Sequence, residues 1–146
     1  MRNFLKIGNF FMKLLLNSPL HGMMSSNTLL ISYTGWKSGK TYTTPVNYTQ
    51  DGDMVRIVSQ RDRVWWRNLI GGAPVTLRLR GKDRYGTANA FTDDARLMQG
   101  FEAFLRPNPQ LARYFGIRHD QHGILNKEDI VEASKSRVVV EIVLSE

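Results

Sequence analysis

The segment 34–45 carries the side chains best suited to chemistry in this sequence of 146 residues. It contains two glycines, two lysines and several hydroxyl groups, and it joins two runs that are typical of β-strands. Backbone amides exposed by a glycine-containing turn, together with ammonium groups, form a common binding site for anions. The segment therefore predicts a turn that binds an anionic group through its backbone amides and through Lys37 and Lys40.

This segment differs from a nucleotide-binding P-loop in two respects. Only three residues separate Gly35 from Gly39, one fewer than the P-loop pattern has. The residues that follow, 42–48, are β-branched and aromatic and include a proline, so they predict a strand. A P-loop needs a helix at this point, because the helix N-terminus binds the phosphate.

Positive charge is concentrated in one third of the chain. The formal net charge is +7, and the region 34–84 holds ten Lys and Arg residues against four Asp and Glu residues. This excess indicates a solvated basic face, an anionic ligand or nucleic acid. Nucleic acid is disfavoured, because the aromatic residues of the region fall beside turns and a short helix and do not alternate along exposed strands. We predict no nucleic-acid partner.

The sequence offers little for other kinds of catalytic site. It has no cysteine, which excludes disulfides, thiol catalysis and Cys-ligated metals and fits a reducing cytoplasm. His119 and His122 have a spacing that metal ligands can show, but no cysteine or carboxylate pair accompanies them. We interpret them as part of a surface loop and predict no metal. The spacing of the residues also indicates no Ser–His–Asp triad or carboxylate dyad.

Short strands and a few helices are predicted to position the 34–45 segment. An Asp-Gly pair at Asp51 and Gly52 is a strong hairpin signal. The pattern predicts a single domain, mainly β with helices, whose six strands form a closed or partly closed barrel. The strands are predicted at 27–34, 42–50, 54–60, 75–79, 84–91 and 137–144. Helices are predicted at 3–16, at 63–69, after a Thr92 cap to 105, at 110–115, and at 127–134 after an Asn126 cap.

The first helix, within 1–16, gathers its apolar side chains on one side between Lys6 and Lys13. Two interpretations remain open: the helix packs on the barrel of 27–144, or it lies on a membrane surface. No run approaches the ~18 apolar residues of a membrane span. We predict a cytoplasmic protein, with weak membrane-surface contact through this helix as the alternative.

Several motifs in a fixed order resemble the deazaflavin-dependent nitroreductase and quinone reductase family. They are Thr-Gly-x-Lys-Ser-Gly after a strand, Thr-Thr-Pro, the Asp-Gly hairpin and Trp-x-x-Asn-Leu before the next strand, between Leu29 and Phe91. The resemblance implies a split β-barrel of the FMN-binding, pyridoxamine-phosphate-oxidase-like type and the use of coenzyme F-420. Two positions depart from the family pattern, since Trp36 and Tyr42 stand where many members have Arg. FMN is therefore the alternative cofactor.

The resemblance also implies which residues bind the cofactor. Coenzyme F-420 has a phosphodiester, a tail of glutamates and a flat apolar ring, and family members bind the charged part with the basic turn. The implied cofactor-binding residues are Trp36, Lys37, Ser38, Gly39, Lys40, Tyr42, Pro45, Val46, Asn47, Val58, Ser59, Gln60, Arg61, Trp65 and Asn68. Tyr114 and Ser59 are the candidate catalytic residues, as proton donors.

These observations predict an oxidoreductase that transfers a hydride from reduced coenzyme F-420 to a small quinone-like or nitroaromatic acceptor. The alternatives are an FMN-binding split-barrel reductase and a non-catalytic flavin carrier. The partner is a small-molecule electron acceptor, and a homodimer is left open. Of the adjacent Trp65 and Trp66, one is predicted to face the core and the other a pocket or an interface.

Overall fold

Six antiparallel strands close into a barrel in the computed structural model, which describes residues 28–145. Around the barrel the strands follow the order β1-β2-β3-β6-β5-β4, and β4 pairs with β1 to complete the ring. The predicted six-stranded barrel is confirmed, and the helix predicted in 1–16 lies outside the described residues. The strands are β1 Thr28–Thr34, β2 Thr41–Asp51, β3 Met54–Gln60, β4 Ala73–Leu79, β5 Lys82–Phe91 and β6 Arg137–Leu144.

In the described part of the chain, two α-helices and two 3₁₀ helices accompany the barrel. They are α1 Asp94–Leu105, α2 Lys127–Ser134, the first 3₁₀ helix Trp65–Leu69 and the second 3₁₀ helix Pro109–Phe115. Within residues 28–145, none of the helices is long and apolar enough to cross a membrane.

The two α-helices begin at side-chain caps. Asn126 caps α2 as predicted, since its Oδ1 accepts a hydrogen bond of 2.9 Å from the backbone N–H of Asp129. The predicted Thr92 cap of α1 is wrong by one residue. The cap is Asp93, whose carboxylate accepts a hydrogen bond from the backbone N–H of Arg96 at 3.2 Å. A negative charge at that position also interacts favourably with the helix dipole.

Alternation along the strands divides the apolar residues between the barrel interior and an outer layer. On β3, Val55, Ile57 and Ser59 are buried inside, whereas Val58 faces outward and packs against the helical layer. Successive strand side chains point to opposite faces, so this division follows from the strand conformation itself.

The outer layer is formed by α1 packed across β3 and β6. A Cβ at Gly100 would lie 2.8 Å from Cγ1 of Val139, so only glycine permits this close approach of helix to strand. Phe101, Phe104 and Phe115 pack edge to face beside it, with centroid distances of 5.0 to 6.4 Å. The second 3₁₀ helix, which contains Phe115, is thereby anchored to α1.

Strand direction places three connections at the same end of the barrel. Neighbouring strands are antiparallel all round, so β1, β3 and β5 end where β2, β4 and β6 begin. We call this the upper end. It carries the turn 35–40, the connection 61–72 with the first 3₁₀ helix, and the helical insertion 92–136.

Candidate functional site

The turn 35–40, here called the basic turn, is closed by its own hydrogen bonds. The N–H of Gly39 donates to the carbonyl of Gly35 at 2.8 Å, and the N–H of Gly35 donates to the carbonyl of Lys40 at 2.8 Å. The N–H of Lys40 donates to the hydroxyl of Ser38 at 3.2 Å. Among the described residues, the N–H groups of Lys37 and Ser38 have no hydrogen-bond acceptor. Two adjacent backbone donors are therefore available to a ligand.

The lysines of the basic turn add positive charge that no neighbouring carboxylate neutralises. Lys37 Nζ lies 5.2 Å from the centroid of the exposed Trp36 ring. Within the described part of the chain, no carboxylate oxygen lies within 4.0 Å of the Lys37 or Lys40 ammonium group. This combination of backbone donors and unpaired ammonium groups suits a phosphate or carboxylate.

The first 3₁₀ helix holds the basic turn in place through Asn68. Oδ1 of Asn68 accepts a hydrogen bond of 3.1 Å from the N–H of Trp36. Nδ2 of the same side chain donates to the carbonyl of Trp65 at 3.0 Å. Asn68 was predicted to bind cofactor, and in the structure both ends of its amide contact the protein itself. These two contacts orient the basic turn relative to the first 3₁₀ helix.

Tyr42 fixes the other side of the basic turn. Its hydroxyl lies 3.1 Å from the hydroxyl of Ser38, and its ring covers Gly35, where a Cβ would lie only 2.8 Å from the ring. A larger residue in place of Gly35 would displace this ring.

A column of aromatic rings runs from the basic turn into the barrel. Tyr42 stacks on Tyr33 with ring centroids 5.8 Å apart, and Tyr33 lies 5.9 Å from Trp65. The indole N–H of Trp65 donates to the Ser59 hydroxyl at 3.0 Å. Burial, and next the neighbouring Tyr42, raise the pKa of the Tyr33 hydroxyl above its ordinary value, so that it stays protonated. Sequence reasoning missed Tyr33, because the strand pattern identifies it only as a buried aromatic residue.

Both tryptophans of the first 3₁₀ helix are buried. The prediction that one faces the core and the other a pocket or an interface is therefore wrong. Trp65 and Trp66 are 7% and 5% exposed, and both pack in the barrel interior. A 3₁₀ helix has three residues per turn, so positions 65, 66 and 69 cover two of its three faces. The helix caps the upper end of the barrel and presents both of these faces to the core.

The remaining predicted contacts of the flat ring lie on both faces of β2 and β3. Val46 packs against the barrel core, whereas Pro45 and Asn47 are exposed on the opposite face. On β3, Ser59 points inward and Gln60 is exposed on the outside. The structure therefore does not bring all of these side chains together, and one flat ligand meets side chains of a single face.

Arg61 connects the end of β3 to the start of β6. Its Nε and Nη2 donate to the carbonyl of Arg137 at 3.3 and 3.1 Å. The guanidinium of Arg137 lies 4.9 Å from the centroid of Phe115 in the second 3₁₀ helix. Arg61 and Arg137 therefore link the connection 61–72, which carries Trp65, to the second 3₁₀ helix.

Tyr114 lies beside a cavity at the second 3₁₀ helix. The cavity has a volume of about 1020 Å³, and the Tyr114 side chain is 77% exposed at its rim. A separate cavity of about 420 Å³ lies against β1, β4 and β5 and includes Tyr33. Neither cavity is lined by Ser59 or Trp65. The larger cavity is lined by Asn108, Pro109, Gln110, Leu111, Ala112, Arg113, Tyr114, Gly116, Ile117, Arg118, His119, Gly123 and Leu125.

His119 and His122 lie in the exposed loop that borders this cavity. His119 forms a β-bridge with Leu125, and the N–H of His122 donates to Asp120 at 2.8 Å. Within residues 28–145, no three His, Cys, Asp or Glu side chains form a group able to hold a metal ion.

An ion pair fastens the loop of the larger cavity to α2. The Asp129 carboxylate accepts hydrogen bonds from the backbone N–H, Nε and Nη2 of Arg118 at 2.9, 2.8 and 3.1 Å. The Arg118 side chain, and then its backbone N–H, hold the pKa of the Asp129 carboxyl below its ordinary value of 3.8. A carboxyl with a depressed pKa stabilises the fold while it is ionised, and this stabilisation is lost as the pH falls through the folded pKa.

We expect Asp129→Asn to destabilise the protein at neutral pH and to have progressively less effect as the pH falls below 3.8. Thermal unfolding midpoints of wild type and variant across this range measure the difference. Glu132→Gln is the control, since its pair with Lys135 is exposed on both sides and contributes little. A destabilisation by Asp129→Asn that stayed constant down to the most acid pH would contradict the role of the charge.

The donors of the basic turn fit a multiply charged anionic cofactor. The turn supplies two backbone N–H groups without an acceptor among the described residues, two unpaired ammonium groups, and open space beside Gly39. Gly39 has a φ of 70°, a backbone conformation that other residues rarely adopt, so the shape of the turn depends on glycine at this position.

The sequence matches the profile of one protein family. Residues 17–116 match the sequence profile of the family described as F420H(2)-dependent quinone reductase. No curated protein matches the sequence significantly.

Solved structures resemble the barrel at low sequence identity. A Listeria innocua protein described as a pyridoxamine 5'-phosphate oxidase superposes with a TM-score of 0.54 at 10% identity, over 96% of this chain and 94% of that one. A structure described as a domain-swapped dimer superposes with a TM-score of 0.51 at 18% identity, over 80% and 79% of the two chains. At these identities the similarity shows the fold alone, and the fold is the split barrel that the sequence predicts.

Proposed function

The chain belongs to the F420H(2)-dependent quinone reductase family, and on that premise we propose that it transfers a hydride from reduced coenzyme F-420 to a small quinone-like or nitroaromatic acceptor. Membership makes it an oxidoreductase of a coenzyme F-420-dependent family, in agreement with the cofactor predicted from the sequence. The identity of the acceptor is the part that we propose.

The observation that carries the proposal is the unneutralised basic turn at the upper end of the barrel. Coenzyme F-420 carries a phosphodiester and a glutamate tail, and Lys37, Ser38, Gly39 and Lys40 would hold these groups. Tyr42 and Asn68 keep the turn in shape through their contacts with Ser38 and Trp36. Preorganised donors lose little conformational entropy on binding, which favours affinity.

The aromatic column next to the turn would wall the deazaflavin ring. The bound coenzyme supplies the hydride, whereas the protein orients it and keeps water from the reacting face. Tyr33 and Trp65 are held rigidly, the first by stacking on Tyr42 and the second by its hydrogen bond to Ser59. Their apolar faces favour a flat acceptor over a polar, flexible one.

The acceptor needs a proton as well as a hydride, and Tyr114 is the better of the two predicted donors. The Ser59 hydroxyl already accepts from Trp65 and donates to the carbonyl of Gln60 at 3.3 Å. Among the described residues, the Tyr114 hydroxyl has no hydrogen-bond partner, and Tyr114 is one of the residues that line the larger cavity. We therefore assign the proton-donating role to Tyr114 and a positioning role to Ser59.

Titration with both cofactors tests the proposal. We expect coenzyme F-420 to bind at least tenfold more tightly than FMN, because it offers more negative charge to the basic turn; tenfold corresponds to about 1.4 kcal/mol. Fluorescence titrations of the purified protein measure both dissociation constants. FMN binding as tight as coenzyme F-420 binding would favour an FMN-dependent split-barrel reductase.

Reduction assays with quinones and nitroaromatics separate an enzyme from a carrier. Tight binding of coenzyme F-420 without reduction of any acceptor would favour a non-catalytic carrier. The cytoplasmic location stays a prediction from the sequence, and a homodimer stays open.

A further inference from the structure

The outer face of β1 is buried, although none of the described helices packs closely on it. Leu29, Ile31 and Tyr33 belong to the cluster inside the barrel, so the alternation of strand side chains points Leu30 and Ser32 outward. Leu30 is nevertheless 1% exposed and Ser32 is 4% exposed. Among the described elements, the helices make at most marginal contact with β1 and β4. These helices therefore do not explain the burial.

The neighbouring strands do not explain the burial of Leu30 either. Pro45 of β2 and Arg78 of β4 flank Leu30 in register, and Pro45 is itself exposed. Nε of Arg78 is buried and has no hydrogen-bond partner among the described residues. A buried donor without a partner beside a buried leucine indicates that the cover reaches from β1 to β4. A part of the chain outside the described residues has to provide this cover.

The covered face is electrically neutral. Thr43, Ser32 and Thr76 form a row of hydroxyl groups across β2, β1 and β4, and the hydroxyl oxygens of Ser32 and Thr43 lie 2.6 Å apart. Arg78 is the one charged residue in β1 and β4, and its Nη1 donates to the Asp83 carboxylate at 3.0 Å. A cationic segment can therefore lie on this face without repulsion.

Segment 3–16 has the length and chain position to cover this face. It lies outside the described residues, and its sequence predicts a helix with apolar side chains on one side and Lys6 and Lys13 beside them. A helix over these residues would be about 21 Å long, and the residues of β1 span about 23 Å. Residues 17–27 then join it to Thr28, a connection that can extend over roughly 35 Å and so allows the helix to turn back along β1.

We propose that the apolar side of segment 3–16 packs against the outer face of β1 and β4, over Leu30 and Ser32. The segment completes the barrel on the side that the described helices leave uncovered. Because β1 leads directly into the basic turn, the segment also holds the strand from which that turn projects.

The burial of this face within one chain favours an intramolecular cover. A second copy of the protein would bury residues that are exposed in the single chain, whereas Leu30 and Ser32 are already buried there. A lipid surface binds exposed apolar groups surrounded by unpaired cations, and this face offers neither.

The reactivity of a single thiol tests the cover in the full chain. The protein has no cysteine, so Ser32→Cys introduces one reporter with little change in volume. We expect this thiol to react with a thiol-specific reagent at least about 100-fold more slowly than the thiol of Thr87→Cys, which lies at an exposed outward position of β5. Cover by segment 3–16 is the physical reason for the difference.

A charge on the apolar side of the segment should open this cover. Adding Phe11→Asp to Ser32→Cys should raise the rate of thiol modification by about tenfold or more, because the carboxylate opposes burial of that side. Asn9→Asp is the matched control, since it adds the same charge two positions away, on the opposite side of the predicted helix. Ser59→Cys, inside the barrel at a position 7% exposed, should stay slow in the presence of Phe11→Asp if the barrel remains folded.

Distances between spin labels locate the segment without destabilising it. Labels attached at Lys13→Cys and Thr76→Cys should give one narrow distance distribution below about 30 Å, because the helix lies along a strand about 23 Å long. Dilution with unlabelled protein separates distances within one chain from distances between chains. An intramolecular distance should survive this dilution.

Four results would overturn the proposal. A Ser32→Cys thiol as reactive as that of Thr87→Cys would show that the face is open. Equal rates with Phe11→Asp and Asn9→Asp, whether raised or unchanged, would show that the apolar side of the segment is not the cover. A broad distance distribution would place segment 3–16 away from the barrel. A distance that disappeared on dilution with unlabelled protein would make the segment of a second copy the occupant.

Discussion

Replacing both lysines of the basic turn by alanine should weaken the binding of coenzyme F-420 about a hundredfold. A charge-assisted hydrogen bond contributes about 1.5–3 kcal/mol, and partial exposure of the lysines reduces each contribution to about tenfold in affinity. Lys37 and Lys40 have no carboxylate partner within 4.0 Å among the described residues, so their removal exposes no unpaired acidic group. Fluorescence titration of the double variant measures the change.

The control for this prediction lies at the opposite end of the barrel. Lys82 is exposed at the start of β5, in the hairpin between β4 and β5. Lys82→Ala should therefore leave the dissociation constant unchanged. Binding to wild type should also weaken with added salt, and less so in the double variant, because salt screens exposed charges. The prediction would be wrong if a stably folded Lys37→Ala, Lys40→Ala variant had an unchanged dissociation constant. Both lysines would then be solvated surface charges that do not bind the coenzyme.

Tyr114→Phe should lower turnover by about 10²-fold or more while leaving coenzyme binding unchanged. General acid catalysis typically contributes about 10²–10⁴-fold, and this substitution removes the hydroxyl but keeps the ring. The Tyr114 side chain is 77% exposed at the cavity rim, and Phe115 rather than Tyr114 packs in the Phe101 cluster. The loss of the hydroxyl should therefore leave the stability of the fold unchanged.

Steady-state reduction of menadione by reduced coenzyme F-420 measures this effect. Tyr85→Phe is the matched control, because Tyr85 is a 57% exposed tyrosine on β5 and should tolerate loss of its hydroxyl. Full turnover in Tyr114→Phe would rule out proton donation by this residue and direct attention to solvent. Equal loss in both variants would indicate a general effect of surface tyrosines and not a donor.

The strands and their order along the chain were predictable because their signals are local. The strand predicted at 54–60 coincides with β3, and the Asp51-Gly52 pair forms the predicted hairpin with Gly52 at a φ of 60°. Alternation of apolar residues and the positive φ of glycine depend only on neighbours in sequence. The α1 cap was missed by one residue, since Thr92, Asp93 and Asp94 are all compatible with an N-terminus and backbone geometry selects among them.

The functions of single side chains at the upper end were less predictable. The family resemblance implied Asn68 only as a cofactor-binding residue, and its hydrogen bond to Trp36, which spans 32 positions of sequence, was not predicted. Trp65 and Trp66 are adjacent, so a rule of alternation placed them on different sides, whereas the 3₁₀ helix buries both. The part of the prediction that concerns ligand binding depends on the basic turn, because the donors of that turn are close together in the sequence.

The sequence by itself determined the chemical character of this protein: a turn rich in glycine, lysine and hydroxyl groups between two strands, a basic middle third, and a barrel built from hairpins. These properties depend on residue type and short spacing. Only the tertiary structure decided which connections meet, because the β1–β4 pairing that closes the barrel joins segments about 45 residues apart. That closure places the basic turn beside the first 3₁₀ helix, stacks Tyr42 on Tyr33 toward Trp65, and leaves Val64 and Ile70 exposed at the rim. Contacts of this kind follow from the balance of packing over the whole chain, which no local pattern records.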